Sequence, residues 1–201
     1  VDRSTYEVLL GQCSARDAIL TTPFKGVELI PSSMALAAAE LELADMRDRV
    51  MRLKEELVRV KGEYDFVLID CPPSLGMVTL NALSACDSLI IPIQCEYYAL
   101  EGLSQLVTTV RQVKRLYNPG IEIEGVLLTM YDGRLNLTLQ VVDEVKKYFP
   151  EKVFKNVIPR NVRLSEAPSF GQPVLYFDRS SRGSQAYEAL TAEILDKNRK
   201  G

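Results

Sequence analysis

The residues with the clearest potential for chemistry lie at the end of one apolar run. Residues 66–69 are four consecutive apolar residues, Asp70 follows them, and Pro72 and Pro73 then indicate a turn. Such a run, bounded by a turn signal, predicts a strand over Phe66–Asp70 that is buried on both faces. A carboxylate at the carboxyl end of a parallel strand lies where open α/β sheets bind ligands. The pattern therefore predicts a ligand contact for Asp70, and an aspartate that caps the following turn is the alternative.

The loop after Asp70 has the composition of a phosphate-responsive segment. In P-loop nucleotide hydrolases, an aspartate at this position holds Mg²⁺ on the β- and γ-phosphates, and the loop after it responds to the γ-phosphate. Here the loop contains Pro72, Ser74 and Gly76; proline stiffens the backbone, and glycine permits its close approach to a phosphate. A simple strand-to-helix connection is the alternative. The usual partner motif, G-x-x-x-x-G-K-[ST], does not occur in the 201 residues.

Composition narrows the possible chemistry. The chain contains no histidine, which excludes Ser-His-Asp triads, histidine general bases and the commonest zinc ligand. Catalysis would have to use carboxylates, a metal, lysine or arginine, and phosphoryl transfer fits that restriction. The four cysteines show no C-x-x-C pairing, and no long apolar span or signal peptide is present. These features predict reduced thiols in a cytosolic protein without a membrane span.

The charges are unevenly distributed along the chain. The net charge is −3, but residues 111–163 contain 10 basic and 6 acidic residues, a local charge of +4. Such a basic stretch in an acidic protein is weak support for a face that binds a polyanion. Ordinary charge on the exposed faces of helices explains the counts equally well.

Alternating apolar runs and amphipathic segments must position these residues. A helix is predicted from apolar residues between Met46 and Val60 at steps of four and three. The alternation predicts an α/β fold with a doubly wound, mostly parallel sheet flanked by helices, in a single domain over residues 1–201. The predicted strands are Val27–Pro31, Phe66–Asp70, Ser88–Ile93, Gly125–Met130 and Val153–Ile158. Further helices are predicted over Leu103–Tyr117, Leu137–Phe149 and Arg182–Leu195.

Four stretches together resemble the ParA/Soj family of chromosome- and plasmid-partitioning ATPases. They are DFVLIDCPPSL at 65–75, PIQCEYYALEG at 92–102, LTMYDGRLNL at 128–137 and VIPRNVRLSEAPSFG at 157–171. The last stretch is long and unusual and is similar to the Soj-like chromosomal branch. The similarity runs in order over nearly the whole chain. It implies a P-loop NTPase fold of the SIMIBI or deviant Walker A type.

The resemblance also implies that an amino-terminal part of the family's sequence is missing. Family members carry a deviant Walker A loop, K-G-G-x-G-K-[ST], and a D-x-D-x-Q-G-N switch before the region that this chain matches. Neither motif occurs here. Walker A amides and lysine supply most of the phosphate cradle. We therefore expect the 201 residues alone to bind ATP weakly or not at all, and to be poorly soluble because apolar sheet edges lack partners.

The resemblance assigns ATP and Mg²⁺ as cofactors and places residues around them. Asp70 would order the magnesium ion, and the loop after it would be the family's switch II. The residues implied to bind the nucleotide are Asp70, Pro72, Ser74, Gly76, Thr129, Met130, Pro159 and Asn161. For the last two, the alternative is a turn fixed by Pro159 with Asn161 as a helix cap. Tyr97 and Tyr98 lie near the nucleotide and the dimer face in the family, or else are half-buried core aromatics.

The implied DNA contacts are Arg134 and Arg163, with Arg160 widening the patch. They would bind nucleoid DNA without sequence preference across an ATP-bound homodimer, and a ParB-like centromere-binding protein would stimulate hydrolysis. The implied location is cytoplasmic and nucleoid-associated. A non-catalytic DNA-binding or dimerisation module is the alternative, because the phosphate cradle is missing. A MinD-like membrane-site ATPase is disfavoured, because residues 196–201 contain no apolar amphipathic helix.

Overall fold

The fold comes from a computed structural model that describes residues 2–96 and 99–199, with only the backbone described at 99–101. Contacts divide the chain into two units. Unit 1 comprises Val1–Asp87 and Leu106–Ile121, and unit 2 comprises Ser88–Gln105 and Glu122–Gly201. The single domain over residues 1–201 stays a prediction.

Unit 1 is mostly helical around an apolar core. Helix α1 begins after Ser4, whose side chain and that of Glu7 form a reciprocal capping box, and it ends at Gly11 in the left-handed conformation. The two short strands of this unit pair in an antiparallel ladder. The elements are α1 (Thr5–Leu10), α2 (Ala15–Ala18), β1 (Leu20–Thr21), β2 (Glu28–Leu29), α3 (Leu36–Ala44), α4 (Arg52–Leu57), a 3-10 turn (Lys61–Glu63) and α5 (Met77–Ala85).

The helix predicted between Met46 and Val60 is shorter than its apolar pattern indicated. Only Arg52–Leu57 forms an α-helix, and turns lie on both sides of it. Asp48 has φ of 56°, the left-handed region, which interrupts a helix but which aspartate tolerates better than most residues. The apolar stripe still faces the core, because Leu53, Leu57 and Val60 are all buried within it.

Two predicted strands of unit 1 need correction. The strand over Phe66–Asp70 is wrong: the segment has no strand assignment, and Leu68 is 88% exposed. A strand buried on both faces needs hydrogen-bonded neighbours on both sides, and neither described sheet includes these residues. The strand over Val27–Pro31 is reduced to Glu28–Leu29, which pairs only with the equally exposed Leu20–Thr21.

Unit 2 contains the parallel sheet. Strand β3 (Ser88–Gln94) pairs in parallel with β4 (Glu122–Thr129), with one irregularity in the register after Leu89. These strands confirm the predictions of Ser88–Ile93 and, with shifted ends, Gly125–Met130. Helix α6 (Ala99–Leu116) joins them along the chain, as parallel pairing requires.

The predicted strand Val153–Ile158 is present only as isolated parallel bridges beside β4. Val153 pairs with Val126, and Ile158 donates its N–H to the carbonyl of Leu128 at 2.9 Å. Between these contacts the ladder is interrupted, because the N–H groups of Lys155 and Asn156 donate to the Glu193 carboxylate instead, at 2.9 and 3.1 Å. The prediction of a continuous strand is therefore wrong, although the direction and position of the segment are right.

The helices of unit 2 confirm the sequence pattern and enclose a small core. Phe154 is 2% exposed and packs with Leu127, Ile158 and Leu190, the last of which lies on the helix Arg182–Arg199. A Cβ at Gly125 would lie 2.5 Å from the Phe154 ring, so the core requires glycine there. The remaining helices are α7 (Asn136–Tyr148), α8 (Val162–Glu166), a 3-10 turn (Ala167–Phe170), α9 (Val174–Phe177) and α10 (Arg182–Arg199). None of the helices in the described ranges is long and apolar enough to cross a membrane.

Candidate functional site

The Asp70 loop is the candidate phosphate and metal element of unit 1. From Tyr64 to Gly76 the backbone forms neither helix nor strand, and Asp70, Pro72 and Ser74 are exposed. No residue of the described ranges donates a hydrogen bond to the Asp70 carboxylate, so the turn-capping alternative is not what the structure shows. The carboxylate is therefore available to a ligand. Its backbone belongs to neither described sheet, so strand hydrogen bonds do not fix its position.

A second carboxylate, which the sequence analysis missed, lies where this loop enters α5. Glu40 on α3 accepts hydrogen bonds from the backbone N–H groups of Met77 and Val78 at 2.8 and 3.2 Å. These are orphan donors of the first helical turn, and a carboxylate satisfies both their hydrogen bonds and the helix dipole. A Cβ at Gly76 would lie 2.3 Å from the Glu40 carboxylate, so glycine permits the contact. The partners are 37 positions apart, which local patterns do not reveal.

An open groove of about 1500 Å³ runs through unit 1 beside this loop. Its walls include apolar residues such as Phe24, Leu29 and Leu68, and Asp70 and Pro72 line it as well. No group of three or more cysteine, aspartate or glutamate side chains in the described part of the chain is arranged to hold a metal ion. A single carboxylate nevertheless suits Mg²⁺, which binds through one or two carboxylates together with substrate phosphates and water. Asp70 therefore fits a magnesium ion that arrives on a nucleotide.

The residues predicted to hold the base lie on neighbouring segments of unit 2. Thr129 ends β4, and Met130 after it has φ of 52°, an uncommon conformation for a non-glycine residue. Tyr131 then bridges to Pro159, so the end of β4 and the 159–161 loop lie side by side. The Asn161 side chain accepts a hydrogen bond from the Arg163 N–H at 3.0 Å, which is the helix-cap alternative. Contact of these residues with adenine stays a prediction.

Arg134 follows β4 in a tight Asp-Gly-Arg turn. Its side chain is 89% exposed and forms a bidentate ion pair with Asp132, with Nε to Oδ1 at 2.9 Å and Nη2 to Oδ2 at 2.7 Å. The backbone N–H of Arg134 also donates to Oδ1 at 3.1 Å. The side-chain hydrogen bonds from Arg134 and, to a smaller extent, the backbone one lower the pKa of Asp132 to about 2. A Cβ at Gly133 would lie 3.2 Å from the Tyr131 hydroxyl oxygen, which makes the turn compact.

The other two candidate arginines are also paired with carboxylates. Arg160 contacts Glu96 at 3.2 Å, and Arg163 contacts Glu166 at 2.8 Å and Asp178 at 3.2 Å. The side chains of Arg160 and Arg163 remain 67% and 52% exposed. All three arginines are therefore accessible, but each already carries at least one anionic partner.

These carboxylate partners were not predicted from the sequence. Asp132 and Glu166 lie two and three positions from their arginines, so the D-x-R and R-x-x-E spacings could have indicated two of the pairs. Glu96 lies 64 positions from Arg160 and had no local signal. Tyr97 and Tyr98, predicted near the nucleotide, lie outside the described residues.

Comparison with known proteins shows the family. A family model of an AAA domain matches residues 1–123. The sporulation initiation inhibitor protein Soj of Bacillus subtilis is 53% identical over 194 residues, covering 96% of this chain and 77% of its own length. The chromosome partitioning protein ParA of Myxococcus xanthus is 48% identical over 193 residues, covering 96% and 68%. The chain belongs to the Soj/ParA family of chromosome-partitioning ATPases.

Solved structures give the same fold. The cobyrinic acid a,c-diamide synthase of Mycobacterium smegmatis, with a bound ATP analog and magnesium, superposes with a TM-score of 0.83 at 34% identity. The match covers 96% of this chain and 71% of that chain. Cyanothece McdA without ligand gives a TM-score of 0.85 at 21% identity over 96% of this chain and 77% of that chain, a likeness in fold alone. The α/β, P-loop NTPase fold predicted from the Soj/ParA resemblance is confirmed.

Proposed function

We propose that the protein is the ATP-switched, DNA-binding ATPase of a chromosome or plasmid partitioning system. ATP drives homodimerisation, the dimer binds nucleoid DNA without sequence preference, and a ParB-like centromere-binding partner stimulates hydrolysis and release. The protein acts in the cytoplasm on the nucleoid. Family membership supports this proposal, and the observation that carries it is a set of exposed arginines in unit 2: Arg134 and Arg160 on loops, and Arg163 at the start of α8.

The nucleotide part of the proposal rests on the Asp70 loop and on the loops that follow β4 and Ile158. Asp70 holds Mg²⁺, which neutralises charge on the β- and γ-phosphates when it is bound. The Pro72, Ser74 and Gly76 loop responds to the γ-phosphate and would transmit the change to α5, which begins directly after it. The base lies against Thr129, Met130, Pro159 and Asn161. The M. smegmatis relative holds an ATP analog and magnesium in its own structure.

The DNA part rests on guanidinium chemistry. Arginine presents paired N–H donors that match the spacing of two phosphate oxygens. Arg134 already makes this two-point contact with a carboxylate in the structure. Contacts to phosphate carry no sequence information directly, so binding through these residues is non-specific.

Equilibrium dialysis with Mg-ATP tests the nucleotide proposal. The 201 residues contain no Walker A loop, so we expect weak or no binding, and micromolar affinity would contradict this expectation. In any longer gene product that contains this chain, Asp70→Asn should abolish magnesium-dependent ATP hydrolysis. The matched control is Asp65→Asn, another exposed aspartate of the same segment, which should retain hydrolysis.

Two results would overturn parts of the proposal. Hydrolysis that survives Asp70→Asn as well as it survives the control would remove Asp70 from the magnesium site. DNA binding by a product without any ATP hydrolysis would favour a non-catalytic DNA-binding or dimerisation module.

A further inference from the structure

Each arginine proposed to grip DNA is already neutralised by a carboxylate of its own unit. Together Arg134, Arg160 and Arg163 contact four carboxylates, those of Asp132, Glu96, Glu166 and Asp178. The segments that carry the three arginines therefore hold no excess positive charge. A phosphate that approaches an arginine must compete with an anion that is tethered beside it.

We propose that Asp132 is a built-in competitor of the DNA phosphate for Arg134 and thereby weakens DNA binding. This inference rests on the proposed function, because it concerns the regulation of the same DNA contact. Free Arg134 and Asp132-bound Arg134 are then two states of one site, and only the free state offers the edge formed by Nε and Nη2 to a phosphate.

The geometry of the pair supports direct competition. Asp132 occupies the edge of the guanidinium formed by Nε and Nη2, with contacts of 2.9 and 2.7 Å. A phosphate that binds bidentately to that edge needs the same two donors, so both anions cannot hold it together. The Asp132 side chain is only 28% exposed, whereas that of Arg134 is 89% exposed. The aspartate is thus the fixed partner, and the arginine is the one free to change partners.

Asp132 is the strongest of the tethered competitors for two reasons. It is separated from Arg134 by one residue, and the Arg134 N–H fixes it in place through a third hydrogen bond. A short tether gives a high effective concentration. The Arg160–Glu96 pair has one contact of 3.2 Å between residues 64 positions apart.

The test uses a longer gene product that contains this chain and binds Mg-ATP. It measures affinity for a fluorescein-labelled random-sequence duplex, by anisotropy in Mg-ATP, across a series of salt concentrations. The variants are Asp132→Asn, Arg134→Ala and the double variant. Glu144→Gln is the matched control, because Glu144 is an exposed carboxylate of unit 2 paired with Lys147 instead of a candidate arginine. Retention on a heparin column provides a second polyanion readout, and circular dichroism verifies the fold of each variant.

We expect Asp132→Asn to raise DNA affinity about 2- to 5-fold, the scale of an exposed ion pair. The slope of log affinity against log salt should stay nearly the same, because Arg134 contacts the same phosphate in both proteins, and elution from heparin should need more salt. Glu144→Gln should produce a smaller change, and in the Arg134→Ala background Asp132→Asn should act no more strongly than the control.

Two outcomes separate this inference from the proposed function. If Arg134→Ala lowers affinity but Asp132→Asn behaves like Glu144→Gln, or weakens binding, then Asp132 does not compete and the inference is overturned alone. If Arg134→Ala changes neither DNA affinity nor heparin retention, the DNA role of Arg134 fails and the inference fails with it.

Discussion

The Asp70 segment and the loops that follow β4 and Ile158 differ in whether the apolar run before them forms a buried strand, although the sequence predicted a strand in each case. Both were predicted to lie at the ends of strands, Phe66–Asp70 in one region and Gly125–Met130 and Val153–Ile158 in the other. In unit 2 the prediction holds for β4, whose buried residues pair with β3, and Tyr131 and Pro159 lie side by side at its end. In unit 1 the residues before Asp70 pair with nothing in the described ranges, and Leu68 is 88% exposed. The comparison teaches that an apolar run specifies a tendency to be buried, whereas its neighbours decide whether burial occurs.

The two regions also differ in how their charged groups are balanced. Asp70 has no hydrogen-bond donor among the described residues, whereas Asp132 accepts three from Arg134. A carboxylate without partners is ready to take a cation, and a guanidinium with a carboxylate partner must exchange it for another anion. The metal role proposed for Asp70 therefore needs no existing contact to break, whereas the DNA role proposed for Arg134 requires it to release Asp132.

The largest expected effect contrasts two phenylalanines. Phe154 is 2% exposed in the core of unit 2, and Phe66 is 50% exposed before Asp70. Phe154→Ala should lower the free energy of unfolding by about 3–5 kcal/mol, through lost burial and a cavity. Phe66→Ala should lower it by less than about 1 kcal/mol. Urea denaturation followed by circular dichroism measures both, and equal losses would remove the contrast between the two regions.

A smaller effect is expected where the Asp70 loop enters α5. Glu40→Ala should cost about 1 kcal/mol, as the loss of a helix cap does. Gly76→Ala should cost a similar amount, because its Cβ would displace the Glu40 carboxylate. The double variant should then cost no more than either single one, and additive losses in urea denaturation would show that the two residues act independently.

A third effect depends on pH and concerns the interrupted strand of unit 2. Burial tends to raise the pKa of Glu193, but hydrogen bonds from the N–H groups of Lys155 and Asn156 outweigh it, so the pKa lies below the ordinary 4.5. The carboxylate should therefore stabilise the fold above pH 4.5, and this contribution should be lost as the pH falls through the lowered value. The stability gap between the unmodified chain and Glu193→Gln should narrow below pH 4.5. A gap that is constant with pH would contradict the assignment.

The smallest effect on stability is expected at Leu68. Because its side chain is already exposed, Leu68→Lys should change the free energy of unfolding by no more than about 0.5 kcal/mol. It should nevertheless reduce self-association, since a charge interrupts an exposed apolar segment that can pair with another chain. Light scattering at rising concentration measures this, and unchanged association would show that the segment is not the cause.

Much of unit 2 could be predicted because its signals are local. The buried run of β4 and the four-residue spacing of Ala186, Leu190 and Ile194 on α10 are properties of consecutive residues. The interruption of the predicted strand Val153–Ile158 by Glu193 was not predictable, because that carboxylate lies 38 positions from Lys155. Its backbone partners carry no pattern of their own.

The candidate site shows the same division between local and distant signals. Asp70 was found because it follows an apolar run, Arg134 was implied by the Soj/ParA resemblance, and the helix cap at Asn161 was foreseen as an alternative. The Glu40 contact with Met77 was missed, since it joins two helices across 37 positions. The break at Asp48 was missed as well, because a left-handed residue leaves the surrounding apolar spacing almost unchanged.

The most direct test of the account is the salt dependence of DNA binding in Mg-ATP, measured in a longer gene product that contains this chain and binds ATP. The unmodified product is compared with its Arg134→Ala/Arg163→Ala variant. Arg199→Ala is the matched control, an exposed arginine at the end of α10 in unit 2. If the two arginines grip phosphate, log affinity should fall less steeply with log salt in the variant, by about 0.9 for each phosphate contact removed. The control should keep the original slope. Parallel lines for all three proteins would contradict the proposal that these arginines hold DNA.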